Sequence, residues 1–141
     1  MTTFFSIAEA SRATGLSAHT LRYYEQIGLI APVARSSGAR RYSAEDMRWL
    51  EFLVRLRSTG MPMRDMQRYA QLRRQGQDPE GVAERQALLE RHAIRLEEEQ
   101  RLLAENLQII RDKIQTYQAM QTTPPGNTSH VSTFSKGRLK P

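Results

Sequence analysis

The sequence predicts an all-α chain with a small β-hairpin wing: a winged helix-turn-helix head followed by one long helix. Three observations carry the prediction. Two short helix signatures meet at Gly15, a turn-rich stretch runs from Leu29 to Tyr42, and apolar residues recur at every seventh position from Val82 to Tyr117. The expected organisation is a head over residues 1–75, a helix over 76–120 and a disordered basic tail over 121–141.

Each element of the head has a local cause. Ser6 and Glu9 make an S-x-x-E capping box, in which each side chain satisfies the other's backbone N–H, so a helix is expected over about 7–13. Gly15 ends it where a left-handed residue is needed. Ser17 caps a second helix, and Leu16 before the cap with Leu21 four positions after it forms a hydrophobic staple. Two short helices joined by a tight glycine turn are the signature of a helix-turn-helix. Beyond Gly28, Pro32 and the run Ser36-Ser37-Gly38 sit between short extended segments and predict a hairpin. Ser43 with Asp46 opens a third helix through Trp49, Phe52, Leu53 and Leu56 to about Thr59, where Gly60 breaks it. Pro62 suits the first position of a fourth helix, ending near Arg74. Trp49 and Phe52 are expected in the core, with Met47, Met61, Met63 and Met66 filling its gaps.

The long helix follows from the absence of Gly and Pro between Gly81 and residue 120. Val82, Leu89, Leu96, Leu103, Ile110 and Tyr117 form one heptad column, and Gln86, Ala93, Gln100, Leu107 and Ile114 form its companion. An isolated helix of about 60 Å with such a stripe is marginal in water, so it needs a partner. A second copy of the chain is the economical one; folding back on its own head is the alternative.

Composition narrows the chemistry. The chain has 141 residues, a net charge of +6 and no cysteine, which excludes disulfides, thiolate zinc sites, Fe–S clusters and thiol redox centres. Lacking an apolar run of about 18 residues and a signal-peptide core, it is expected to be soluble, cytoplasmic and without a membrane partner. The charge is uneven: the balance is +6 over residues 1–75, −3 over 76–120 and +3 over the rest. A basic head is suited to an anion, and an acidic helix to protein. With no nucleophile–base constellation, Gly-rich phosphate loop or metal cluster, the chain is not expected to be an enzyme or to carry a cofactor or metal. His92 is read as a solvated or coil-flanking side chain, and Glu97-Glu98-Glu99 followed by Arg101 as a solvated face.

The residues that could meet DNA fall in two places. His19 and Thr20 lie in the first turn of the second helix, where a recognition helix meets base edges, and Arg22 lies one turn on. Tyr23 and Tyr24 are adjacent, so both cannot face the core, and one phenol is left for a phosphate oxygen. In the hairpin, Arg35, Arg40, Arg41 and Tyr42 surround the turn, with no acidic residue between Glu25 and Glu45. Surface cations with core tyrosines is the plainer reading of the same residues.

Ile7-Ala8-Glu9 with Thr14-Gly15-Leu16, then T-L-R-Y-Y-E-Q-I-G-L from Thr20 to Leu29, then G-A-R-R-Y-S from Gly38 to Ser43, resemble the MerR family of bacterial transcription regulators over about residues 4–75. The resemblance implies that His19, Arg22, Tyr23 and Tyr24 lie at the DNA on the recognition helix, and Arg35, Arg40 and Tyr42 in the first wing. It places a second wing around Gly60 to Arg64, with Arg64 adding a backbone contact. It further implies an antiparallel coiled coil joining two heads on a pseudo-palindromic operator. Such a homodimer bends and untwists promoter DNA whose spacer is too long, presenting both elements to RNA polymerase. The sequence departs from the family where thiols sense metals or aldehydes, since neither Trp49–Arg57 nor the start of the long helix holds a cysteine. The signal is therefore expected to be non-thiol, and the 21 polar residues at the end are not expected to form a ligand domain. The competing reading is a coiled-coil interaction protein whose basic head binds a protein partner.

Overall fold

Two reciprocal caps set the frame of the head. In the computed structural model, which describes residues 3–122, Ser6 Oγ accepts from the Glu9 amide at 3.1 Å while Glu9 accepts from the Ser6 amide at 2.8 Å. This starts helix α1 (Ile7–Thr14), and Gly15 ends it with φ +80°, a conformation that costs a residue with a Cβ. Ser17 caps α2 (Ala18–Gln26), with Leu16 and Leu21 of the staple both buried. The second capping box, Ser43 with Asp46, starts α3 (Ala44–Ser58). After Gly60, α4 spans Met63–Arg74, with Pro62 as the capping residue before the helix instead of its first residue. Pro62 has extended backbone (ψ 145°), which places it outside the helix.

The hairpin pairs β2 (Ala34–Ser36) with β3 (Ala39–Ser43) through the two-residue turn Ser37-Gly38, both at positive φ, as a tight hairpin of matching twist demands. A third strand was not expected: β1 (Phe4–Phe5) pairs with β3 in the antiparallel order β1-β3-β2, Phe5 facing Tyr42.

Helix α5 (Pro79–Thr122) begins with Asp78 accepting from the Gly81 amide at 2.9 Å and Pro79 in the first helical position, and it runs two residues past the expected end. The rest of the expected tail, residues 123–141, lies outside the described residues. The chain divides into two compact units at Glu97–Glu98. The first includes the start of α5, because Leu88 is buried there and Leu89, expected on the dimer seam, packs against the head's core. His92 is also buried, which corrects its expected solvated place. Its Nε2 lies 2.8 Å from Thr59 Oγ1 and its Nδ1 2.6 Å from Arg95 Nη2. The core itself centres on Ala10, Leu21, Leu29, Tyr42, Leu50 and Leu53. Met47, Met61 and Met66 join it; Met63 and Phe52, expected inside, are exposed. Trp49 is buried, its ring stacked on Tyr69 and covered by the Arg73 guanidinium.

The second unit holds the later half of α5. Leu103, Leu107, Ile110, Ile114 and Tyr117 are all exposed in the single chain, forming the apolar stripe that the heptad count predicts. Leu102 and Ile109 are exposed as well, off that stripe. Of the earlier column members, Val82 is exposed and Leu96 half-buried. Arg101 pairs with Glu98 and Glu105 on the solvated face, an arrangement of small energetic weight. Among the described residues, no helix is long and apolar enough to cross a membrane.

Candidate nucleic-acid interface

Helical spacing sorts α2 into two faces. Leu21 and Tyr24, three apart, are buried; His19, Arg22 and Tyr23 are exposed on the opposite side. Thr20 is half-buried, its amide donating to Ser17 Oγ at 3.0 Å in the N-cap. The tyrosine question is thereby answered. Tyr23 is the surface phenol, 48 % exposed, and Tyr24, expected at DNA, is a core side chain whose hydroxyl accepts from Arg57 Nη1 at 2.9 Å.

Strand alternation sorts the wing in the same way. Arg35 and Arg40 face each other across the hairpin, so they share a side of it with Tyr42, two residues after Arg40. That side turns toward the head. Tyr42 is 1 % exposed, which corrects its expected place at the DNA, and its buried hydroxyl has no hydrogen-bond partner among the described residues. Burial raises its pKa above the ordinary phenol value. Arg41 points the other way and is exposed, as is Arg35 near the rim. Arg64, in the first turn of α4, is exposed as well.

Arg40 is held. Its Nε donates to Glu25 at 2.8 Å, and the two side chains are only 19 % and 14 % exposed. Glu25 also accepts from the Val33 amide at 3.2 Å, just before β2. Burial alone would raise the Glu25 pKa. Hydrogen bonds from Arg40 and Val33, with the charges of Arg40 and Arg35, outweigh it and hold the carboxyl below its ordinary value. Sequence reasoning missed this residue, although one signal marked it: Glu25 is the only acidic side chain in residues 10–44. A groove of about 360 Å³ lined by Arg22, Glu25, Gln26, Pro32 and Arg40 lies between α2 and the wing.

The end of α2 is supported from behind. Gln67 donates to the Ile27 carbonyl at 3.2 Å and Arg74 to that of Gly28 at 2.8 Å, satisfying acceptors that a helix end leaves open. The result is a rigid helix and a short wing presenting His19, Arg22, Tyr23, Arg35 and Arg41 to solvent. Guanidinium, imidazole and phenol groups on such a frame can donate to phosphates and base edges.

The fold that carries these residues has known relatives. Residues 5–72 match the model of the MerR HTH family regulatory proteins. The HTH-type transcriptional regulator AdhR of Bacillus subtilis is 43 % identical over 72 residues, which are 50 % of this chain and 51 % of AdhR. The chain thus spans about half the length of that relative. The uncharacterized HTH-type transcriptional regulator YyaN of the same organism is 32 % identical over 124 residues, 80 % of this chain and 90 % of YyaN. Among solved structures, HiNmlR, a MerR family regulator lacking the sensor domain, bound to promoter DNA, superposes with a TM-score of 0.73 and 31 % identity. That match covers 84 % of this chain and 94 % of HiNmlR.

Proposed function

The chain belongs to the MerR family of helix-turn-helix regulators, and from that premise we propose that it is a homodimeric, sequence-specific transcription regulator acting on promoter DNA. One observation carries the proposal. The exposed face of α2 offers His19, Arg22 and Tyr23, and the wing offers Arg35 at its exposed strand and Arg41 on its outer side, while the one carboxylate among them, Glu25, is already neutralised by Arg40. The apolar stripe of the later α5 supplies the surface on which a second copy would pair.

The mechanism proposed is mechanical. Two heads joined by paired α5 helices bend and untwist the promoter, setting both its elements where RNA polymerase engages them. The signal is non-thiol, since the chain has no cysteine. Gel retardation with the promoter fragment beside its own gene tests the reading. Retardation that weakens steeply with salt is expected, and none at low salt refutes it in favour of a protein-binding head. Within a binding complex, H19A and R22A should alter preference at particular base pairs. R41A should weaken all duplexes alike.

A further inference from the structure

From the wing geometry, we infer that Glu25 is a positioning residue for DNA recognition: it fixes the wing against α2, and Arg40 serves this carboxylate instead of a phosphate. The inference rests on the DNA-binding reading above and assigns a division of labour within that surface.

Three observations lead to it. From the last turn of α2, one carboxylate reaches both strands of the wing: the Val33 amide at the entry to β2 and Arg40 on β3. Both partners of the ion pair are largely withdrawn from solvent, so their geometry is held, unlike the exposed pair of Arg68 with Glu84, at 42 % and 44 %. Finally, the charge has the wrong sign for direct contact. A carboxylate lining a groove that faces a polyanion repels it, so an isolated Glu25 would weaken binding. Paired with Arg40 it is neutral toward DNA, and its contribution is the fixed distance between helix and wing. Holding that distance in advance removes an ordering cost from binding.

Simple electrostatics and this inference predict opposite signs for one substitution. E25Q removes one negative charge from the surface and, if charge alone mattered, would bind DNA more tightly. The inference expects it to bind about tenfold more weakly.

The test uses the full-length protein and a labelled duplex carrying the promoter fragment, with a scrambled duplex beside it. Affinities of wild type, E25Q, R40Q and the double variant are measured over a salt series by fluorescence anisotropy. Amide hydrogen exchange of residues 33–43 is followed in the free proteins, and circular dichroism checks their folding. The expected results are three. E25Q and the double variant lose affinity to a similar extent, because the pair acts as one unit, and R40Q loses at least as much, because it also leaves the Glu25 charge unpaired. All three exchange the wing amides faster while the helices stay intact. R40Q keeps the wild-type salt slope.

E25Q binding as tightly as wild type, or R40Q losing about 0.9 of the slope, overturns the inference. Unchanged wing exchange in E25Q overturns it equally. Wild type that binds neither duplex at low salt instead overturns the DNA reading itself, which separates the two failures. Should E25Q fail to fold, R40K carries the test. A lysine can still meet the carboxylate, so in free R40K the wing amides should exchange more slowly than in R40Q, and exchange as fast as in R40Q overturns the inference.

Discussion

Trp49 Nε1 donates to the carbonyl oxygen of Leu29 at 2.9 Å, a buried bond that joins α3 to the link between α2 and the wing. Leu29 is fully buried, so its carbonyl has little recourse to water. W49F keeps most of the aromatic packing against Tyr69 and removes the donor. Leaving that acceptor unsatisfied costs about 1–3 kcal/mol. Urea unfolding followed by circular dichroism should show a loss of that size; an unchanged midpoint means the bond adds nothing to stability.

Tyr42 presents the opposite case. Its hydroxyl is buried without a partner among the described residues, so the native state carries a desolvation cost that Phe would not. Y42F should therefore be neutral or up to about 1 kcal/mol more stable, with DNA affinity unchanged. Loss of affinity would return the Tyr42 hydroxyl to the DNA surface, where the repeated basic residues around it first suggested it belonged.

The contrast between these aromatic residues shows how far local sequence reaches. Capping boxes span three residues, so Ser6 with Glu9 and Ser43 with Asp46 were legible, and four of the five helices followed from caps and breakers. Strand β1 has two residues and exists only because β3 lies beside it, 37 to 39 residues on, so nothing local announces it. Helical spacing forbade Tyr23 and Tyr24 from both facing the core, but Arg57, 33 residues from Tyr24, marks which one is buried. In the wing, a basic run concealed a strand with two unlike sides, and Arg40 and Tyr42 turned inward. The heptad count found one stripe on α5, whereas Leu88 and His92 bury another face of the same helix against the head.

The Glu25 carboxyl gives the wing an acid limit. Its folded pKa is lowered, so its contribution to stability is complete above the ordinary carboxylate value of about 4.3 and is lost as pH falls through the folded value. Glu9 and Glu84 are lowered too, so the wild-type acid transition alone is not diagnostic. The difference in Tm between wild type and E25Q isolates the group. It should be constant from neutral pH to about pH 5 and shrink below about pH 4. A difference that persists unchanged into strong acid would show that Glu25 acts through packing and not through its charge.

The pairing of two chains makes its own demand on α5. Leu107 and Ile114 belong to the second compact unit, where their exposure of 44 % and 49 % contributes nothing to the head's core. Covered by a second copy they would be knobs in a shared seam, and lysine there would bury a charge with no partner. The double variant L107K/I114K should therefore sediment as a monomer at micromolar concentrations where the unaltered chain is a dimer. Head unfolding should be unaltered, because no residue of its core is touched. DNA affinity should drop about tenfold or more, since one head then binds without the other. A variant that remains dimeric by sedimentation equilibrium would show that the heptad stripe is not the seam. The exposed Leu102 and Ile109 would then be the next residues to replace.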